Sequence, residues 1–301
     1  AANQNFVMAQ EKLGDIYIHL NDVSNNYDKS IYYYKLAANQ NSSISQLSLG
    51  LYYLLRHSNC KDLNKAILYI SLSSKNRNKF ADFILGYLFQ EGKYVEKDIN
   101  KSISYYKEAS SFNIPWAKNN LGVIYKNGYL DEIKVDIGLS IEYFREAIKL
   151  KEDPISMYNL ANIYIYNEFG KKFIDKSIEL LIKSYSKGFI KSLLLLCISV
   201  IIKYKMSTGV STDLKGLEEY LFNNKNIPNE IAMIIYDKIN NDKLYDESEF
   251  NREYECLRQD DYIYNFILNP EKFNNIAYPK NEKIDKRLSI SNDFYEGFGI
   301  N

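Results

Sequence analysis

The chain is short of the residues that most often carry chemistry. Its 301 residues include only three cysteines and two histidines. Cys60, Cys197 and Cys256 stand far apart and follow no period, so they are expected as unpaired, buried or idle thiols. His57 and Cys60 are three residues apart and could face the same way, but a structural zinc site uses about four ligands. No metal is expected there. Neither charge dominates: 38 basic residues balance 38 acidic ones, and the pI is near 7.0. That balance argues against a dedicated nucleic-acid surface, which shows itself as a basic excess. There is no glycine-rich phosphate loop and no Gly-x-Ser-x-Gly elbow. The acidic pairs Asp246-Glu247 and Asp260-Asp261 read as solvated faces or helix starts rather than catalytic carboxylates. The most apolar run, residues 193–202, is too short for a bilayer span of about 20 residues. An enzyme is thus not expected, nor a cofactor, nor a membrane span within this chain.

What the chain does have is a period. Leu-Gly recurs at Leu13-Gly14, Leu49-Gly50, Leu85-Gly86 and Leu121-Gly122, each step being 36 residues. Weaker copies follow at Leu160-Ala161 and Leu196-Cys197. A fixed period of this length marks stacked supersecondary units. A small residue precedes each Leu by four (Ala9, Ser45, Ala81, Ala117), and an aromatic follows each Gly by three (Tyr17, Tyr53, Phe89, Tyr125). Spacings of three and four mark one face of a helix. Glycine inside a helix is unfavourable by about 1 kcal/mol, so its repetition points to a close helix–helix approach, within and between repeats.

A second motif follows each first one. It reads Lys29-Ser30-Ile31-Tyr32-Tyr33-Tyr34, then Lys65-Ala66-Ile67-Leu68-Tyr69-Ile70, Lys101-Ser102-Ile103-Ser104-Tyr105-Tyr106 and Leu139-Ser140-Ile141-Glu142-Tyr143-Phe144. The small residue and the aromatic pair again fall on helical spacing. Each unit is therefore two antiparallel helices whose buried faces stack on their neighbours. The many tyrosines of the second helices, Tyr32, Tyr33, Tyr105, Tyr106 and Tyr143, read as core. The loop between the helices is clearest in the third unit, where Gly92 supports a turn and Asp98 a helix start.

These motifs resemble the Sel-one-like repeat, a relative of the tetratricopeptide repeat. The third unit carries nearly the whole pattern: Ala81, Leu85, Gly86, Phe89, Gly92, Val95, Asp98, Lys101-Ser102, Tyr105-Tyr106 and Ala109. The resemblance runs over roughly residues 1–224 and fades in the fifth and sixth units, where Leu180-Leu181 and Tyr220-Leu221 replace the aromatic pair. It implies an all-α, right-handed superhelical solenoid of about six helix-turn-helix repeats over residues 1–227. After Pro228 the pattern changes, and residues 228–301 read as a helical cap and tail covering the last apolar face. Asn229–Ile239 and Tyr254–Leu268 are the expected helices of this region. Residues 1–5 repeat residues 37–41 as Ala-Ala-Asn-Gln-Asn, so the sequence reads as starting in mid-repeat, through truncation rather than a cleaved signal peptide.

At about 100° per residue, Leu13, Gly14 and Tyr17 share one side of a helix while Glu11, Asp15 and Ile18 project from the other. The resemblance implies that this second side lines a concave groove. Its equivalents give a candidate partner-binding strip of Leu47, Leu51, Phe80, Phe83, Tyr87, Trp116, Asn119, Tyr158 and Asn162. Apolar patches of that kind mark binding sites; the other reading is that stacking buries them as core. By resemblance the chain is a non-catalytic scaffold for another protein or a peptide. In a bacterium it would serve as an immunity protein neutralising a secreted antibacterial toxin. The alternative is a regulatory or adaptor region of a larger protein or enzyme.

Overall fold

A computed structural model describes residues 6–19, 25–55, 60–92, 94–129, 132–166, 170–209 and 214–244. These residues form thirteen α-helices and no strand, with one isolated antiparallel bridge between Tyr129 and Ile133. The helices fall into two compact units that divide between Phe112 and Asn113. The first unit holds α1 (Val7–His19), α2 (Asn25–Ala38), α3 (Ser43–Leu55), α4 (Cys60–Lys75), α5 (Lys79–Glu91) and α6 (Ile99–Ser110). Here α1 pairs with α2, α3 with α4 and α5 with α6, and each second helix touches the next first helix.

The second unit holds α7 (Pro115–Asn127), α8 (Ile137–Lys151), α9 (Pro154–Tyr166), α10 (Gly170–Ser186), α11 (Ser192–Thr208), α12 (Leu214–Asn223) and α13 (Asn229–Asn241). Pairing continues as α7 with α8 and α9 with α10, and α7 also meets α9 directly. The fold is thus an all-α solenoid of stacked helix pairs. At α11 the pattern changes: this helix packs on α13 as well as on α12, and the Cys197 thiol points at the Ile235 carbonyl, 3.9 Å away. The expected helix after Pro228 is present, whereas the one at Tyr254–Leu268 lies outside the described residues.

Local chemistry sets the helix ends. Asn78 accepts from the Phe80 and Ala81 amides, Asp98 from that of Lys101, and Asp136 from that of Leu139. These side chains take up amides that a helix start leaves unpaired. Gly92 closes α5 in the left-handed region at φ 70°, where an added Cβ would also meet that of Lys97 at 2.6 Å.

The Leu-Gly period has a steric cause. A Cβ built on Gly14 would lie 2.5 Å from the Tyr34 ring; on Gly86, 2.6 Å from Tyr106; on Gly122, 2.7 Å from Phe144. On Gly50 it would lie 2.5 Å from Ile70. Each of these glycines lets the second residue of the aromatic-pair motif fill the space between the two helices. The close approach is therefore within a pair; the sequence-based expectation of an approach between pairs is not what these glycines serve. The small residue of the second motif completes the contact. Ser30 donates to the Gly14 carbonyl at 2.8 Å and Ser140 to that of Gly122 at 2.7 Å. In the fifth pair Ser177 donates to Ala161 at 3.3 Å, and the shorter Leu181 takes the place of the aromatic ring.

The first aromatic of each motif does something else. Tyr33 stacks on Tyr17, Tyr69 on Tyr53, Tyr105 on Phe89 and Tyr143 on Tyr125, with centroids 5.7–5.9 Å apart and planes within 8°. The motif lysine then covers the free face of the first-helix ring, Lys29 over Tyr17, Lys65 over Tyr53 and Lys101 over Phe89. Of the tyrosines expected in the core, Tyr106 is fully buried and Tyr33, Tyr105 and Tyr143 are half-buried. Tyr32 is exposed. Three successive side chains on a helix point in three directions, and the first of this run faces solvent.

Candidate partner-binding face

The candidate strip occupies equivalent places on the first helices: three before and one after the glycine, or one turn nearer the helix start. In the first unit these are Leu47 and Leu51 on α3, and Phe80, Phe83 and Tyr87 on α5. Leu47 and Leu51 pack with Ala81, Leu85 and Leu88 of α5, and Phe80 and Tyr87 lie against the same cluster. Phe83 is 0% exposed, with its ring tilted against Tyr106 at 5.9 Å. The Tyr106 hydroxyl in turn donates to Gln90 at 2.9 Å.

In the second unit the strip falls on α7 and α9. Trp116 is buried, with the Lys151 ammonium 5.0 Å from its ring centre. Burial pushes that lysine below its ordinary pKa, partly opposed by Asp153. The Asn119 carboxamide oxygen accepts from Ser156 at 3.1 Å and Asn159 at 3.0 Å. Its nitrogen donates to Asn120 at 3.3 Å. Tyr158 is fully buried and meets Phe189 edge-on, and Asn162 is more than nine-tenths buried.

An open apolar strip is therefore not what this face presents. Leu47, Leu51, Phe83, Trp116, Asn119, Tyr158 and Asn162 are buried; only Phe80 and Tyr87 keep substantial accessible surface. The physical reason is direct packing of one first helix on the next, as for α3 with α5 and α7 with α9. The side opposite Leu-Gly is used for stacking. The equivalent positions of α1 behave likewise: Glu11 is buried and takes a hydrogen bond from Ser42, and Asp15 accepts from Tyr34 at 2.9 Å. Burial above all, and then that carboxylate, hold the Tyr34 hydroxyl well above its ordinary pKa.

Sequence reasoning missed Ile16 on α1, Tyr32 on α2 and Leu68 on α4 as accessible apolar side chains, whereas Met8, also exposed on α1, shares the spacing of Phe80 and Trp116. Tyr32 and Leu68 had a visible signal, since they share one position of the second motif, 36 residues apart. The other miss is a set of side-chain amide bonds. Just past the ends of α2 and α4, Gln40 donates to Gln10 of α1 and Asn76 to Gln46 of α3, both at 2.8 Å, whereas Asn159 of α9 donates to Asn119 of α7 in the preceding pair. Cys197 is buried and its thiol is pushed well above the ordinary range. His57 and the Cys60 side chain lie outside the described residues. Among the described residues no helix is long and apolar enough to cross a membrane.

Four segments, residues 7–42, 80–111, 117–151 and 154–189, match the Sel1 repeat. They correspond to the pairs α1–α2, α5–α6, α7–α8 and α9–α10. The α3–α4 pair folds alike, but its second motif carries Ile70 where the others carry an aromatic or leucine ring-filler. Among solved structures, the chain is similar to c5321, a protective antigen present in uropathogenic Escherichia coli strains that displays an SLR fold. The TM-score is 0.60 at 20% identity, over 93% of this chain and 59% of that one. The present chain thus spans well under two thirds of that protein. It is also similar to a Sel1 repeat protein from Oxalobacter formigenes, with a TM-score of 0.56 at 21% identity, over 76% of this chain and 86% of that one. No curated protein matches it by sequence.

Proposed function

We propose that this chain, four segments of which match the Sel1 repeat, is a scaffold holding a partner protein or peptide on its first-helix face, since such repeats mediate protein–protein contacts on a typically non-catalytic fold. The observation that carries this reading is the state of Phe80 and Tyr87. Both are half-buried and rest on the Leu47, Leu85 and Leu88 cluster, with part of each ring accessible. Rings fixed in place by a packed floor lose little freedom when a partner covers them, which is how aromatic anchors come to dominate binding. In this proposal Leu47, Leu51 and Phe83 are the floor. Trp116, Asn119, Tyr158 and Asn162 play the same supporting part on the first helices of the second unit.

The finer reading, for a bacterial gene, is an immunity protein that blocks a secreted toxin by covering its active site. The balanced charge of the chain supports a protein partner over nucleic acid. The region after Pro228 is proposed as the cap of a solenoid spanning residues 1–227, which α13 seated on α11 supports. To test the reading, the toxin-like product of the adjacent gene is assayed with the wild-type chain and with Phe80→Ser and Tyr87→Ser. Inhibition that is lost in variants of unchanged melting temperature is expected. Full inhibition by both variants would move the contact off this face, and no inhibition by the wild type would remove the immunity reading.

A further inference from the structure

The turn between α4 and α5 holds a cation in a backbone conformation that suits other residues better. Arg77 is exposed and lies at φ 64°, in the left-handed region. The residue at the same place after α2 is Asn41 (φ 65°), after α6 Asn113 (59°), after α8 Glu152 (49°) and after α10 Gly188 (88°). Glycine and asparagine enter this region readily, whereas a long side chain meets a steric penalty there. Local bonds hold Arg77 in place. The Asn78 amide donates to the Ser73 carbonyl at 3.0 Å and closes the end of α4 around it. Both neighbours are tied to the first turn of α3, Asn76 through Gln46 at 2.8 Å and Asn78 through the Ser43 carbonyl at 3.3 Å. Arg77 is thus fixed beside the start of α3 and three residues before Phe80, at the edge of the proposed partner-binding face. Backbone strain held in this way clusters at ligand-binding positions. Glu152, the other long side chain of the series, has its charge matched by Lys187 at 2.7 Å. That of Arg77 is unmatched.

We propose that Arg77, supported by Lys75, takes a carboxylate of the partner, so that the segment seated on Phe80 is acidic: a Glu or Asp side chain beside an apolar one. This rests on the scaffold reading, whose face it shares, and adds the chemistry of the partner. Charge complementarity carries it. Lys75 and Arg77 are both exposed, and among the described residues neither forms an ion pair. The third cation of the turn, Lys79, is already matched by Asp82 at 3.1 Å and Glu108 at 3.3 Å. On the other side α3 contributes no charged residue, so it offers nothing to neutralise the turn. Two unmatched cations therefore border a half-buried ring on a packed apolar floor. A guanidinium presents parallel donors that fit the two oxygens of a carboxylate. A free phosphate would meet the same cations without using Phe80, and the balanced charge of the whole chain argues against nucleic acid. An acidic and apolar peptide segment uses both the cations and the ring.

The test is fluorescence anisotropy of the full chain with three fluorescein-labelled peptides that share a Leu-Phe core and differ beside it: Glu-Glu-Leu-Phe, Gln-Gln-Leu-Phe and Lys-Lys-Leu-Phe. At about 0.05 M salt the acidic peptide should bind about three- to five-fold more tightly than the neutral one, as for an exposed ion pair. The difference should vanish by about 0.5 M salt. Arg77→Asn, which gives this turn the residue of the first and third pairs, should remove the preference for acid while the melting temperature falls no lower than that of the wild type. Lys107→Gln, exposed on α6, should leave the preference unchanged. Phe80→Ser should weaken all three peptides. Equal binding of the three peptides that is lost in Phe80→Ser keeps the scaffold reading and overturns the proposal. A preference for acid that survives Arg77→Asn places the anion elsewhere and overturns it as well. Acidic-peptide binding that survives Phe80→Ser, or that inorganic phosphate displaces at matched ionic strength, refutes the pairing of the charge with the ring. No binding of any peptide up to about 1 mM overturns the proposal, and the toxin assay then decides the scaffold reading separately.

Discussion

If Gly86 is glycine because the Tyr106 ring occupies the place of its side chain, the two residues must be energetically coupled. Gly86→Ala introduces a Cβ 2.6 Å from Tyr106 Cδ1 and 2.8 Å from Cε1, closer than carbon atoms approach. The ring cannot simply turn aside. It is fully buried, Phe83 leans on it at 5.9 Å, and its hydroxyl is held by Gln90 at 2.9 Å. Overpacking of this sort is unfavourable by roughly 1–3 kcal/mol. Replacing a helical glycine by alanine returns about 1 kcal/mol through backbone entropy. The net expected destabilisation is about 1 kcal/mol, with the propensity gain hiding part of the clash.

A double-mutant cycle exposes what the single variant hides. Tyr106→Leu alone leaves a cavity and an unpaired Gln90 oxygen, for a loss of about 2–4 kcal/mol. With Ala at 86 part of that cavity is filled, so the double variant should be more stable than the sum of the singles by about 1–2 kcal/mol. The fifth pair already has this combination in Ala161 and Leu181. Urea unfolding followed by circular dichroism gives the four free energies, provided the denaturant slope stays constant across the set. Additivity to within about 0.5 kcal/mol would refute the steric account of the Leu-Gly period.

Ser140→Ala removes the bond to the Gly122 carbonyl and should destabilise by about 0.5–1.5 kcal/mol in urea unfolding; Ala66 fills the equivalent position in the second pair. Asn119→Leu strands the Asn159 amide donor, while Ser156 keeps Asp153 as an acceptor at 2.6 Å, and should lower stability by about 1–3 kcal/mol, with Asn119→Asp less harmful because it still accepts from Asn159. Thiol titration in denaturant without reductant should find three free groups, and in native protein Cys197 should react far more slowly than a free thiol, since burial excludes the reagent and raises its pKa. The Asp98 carboxyl is held below its usual range, chiefly by the backbone amide of Lys101 and then by its side chain. A lowered folded-state pKa contributes stability that is fully present above the ordinary carboxylate range and is lost as pH falls through the lowered value. Melting temperatures measured from neutral to acid pH should therefore fall less steeply for Asp98→Asn than for the wild type.

The pairing of helices was legible because three constraints repeat together. Leu85, Gly86 and Phe89 define one face, Ser102 and Tyr105-Tyr106 the facing one, and Asp98 the start of the second helix. Each has a local cause, a ring against a glycine or a carboxylate on free amides, so spacing alone reveals it. The partner face was not legible in the same way. A helical wheel gives the direction in which Leu47 or Phe83 points, and it was right that they point away from Leu-Gly. It does not say whether another helix stands in that direction. That depends on how closely consecutive first helices approach, which the small residues of the Leu-Gly side do not control.

Stacking consumes most of the side opposite Leu-Gly, and this limits where a partner can act. The strip position nearest the helix start illustrates the point. It is Met8 in the first pair, Phe80 in the third and Trp116 in the fourth, and the side chain passes from exposed through half-buried to buried. The residues at this place are all large and apolar, so sequence type does not distinguish them. What differs is whether a neighbouring helix covers them. A side chain such as Phe83, fully enclosed, can reach a partner only by unpacking the pair, and its truncation should act on stability first, by about 3–5 kcal/mol. Phe80 and Tyr87 stand at the boundary, held by the core and open on one side. Recognition by a repeat of this kind thus falls to the places where its regularity leaves a helix incompletely covered, and the rim of α5 is one of them.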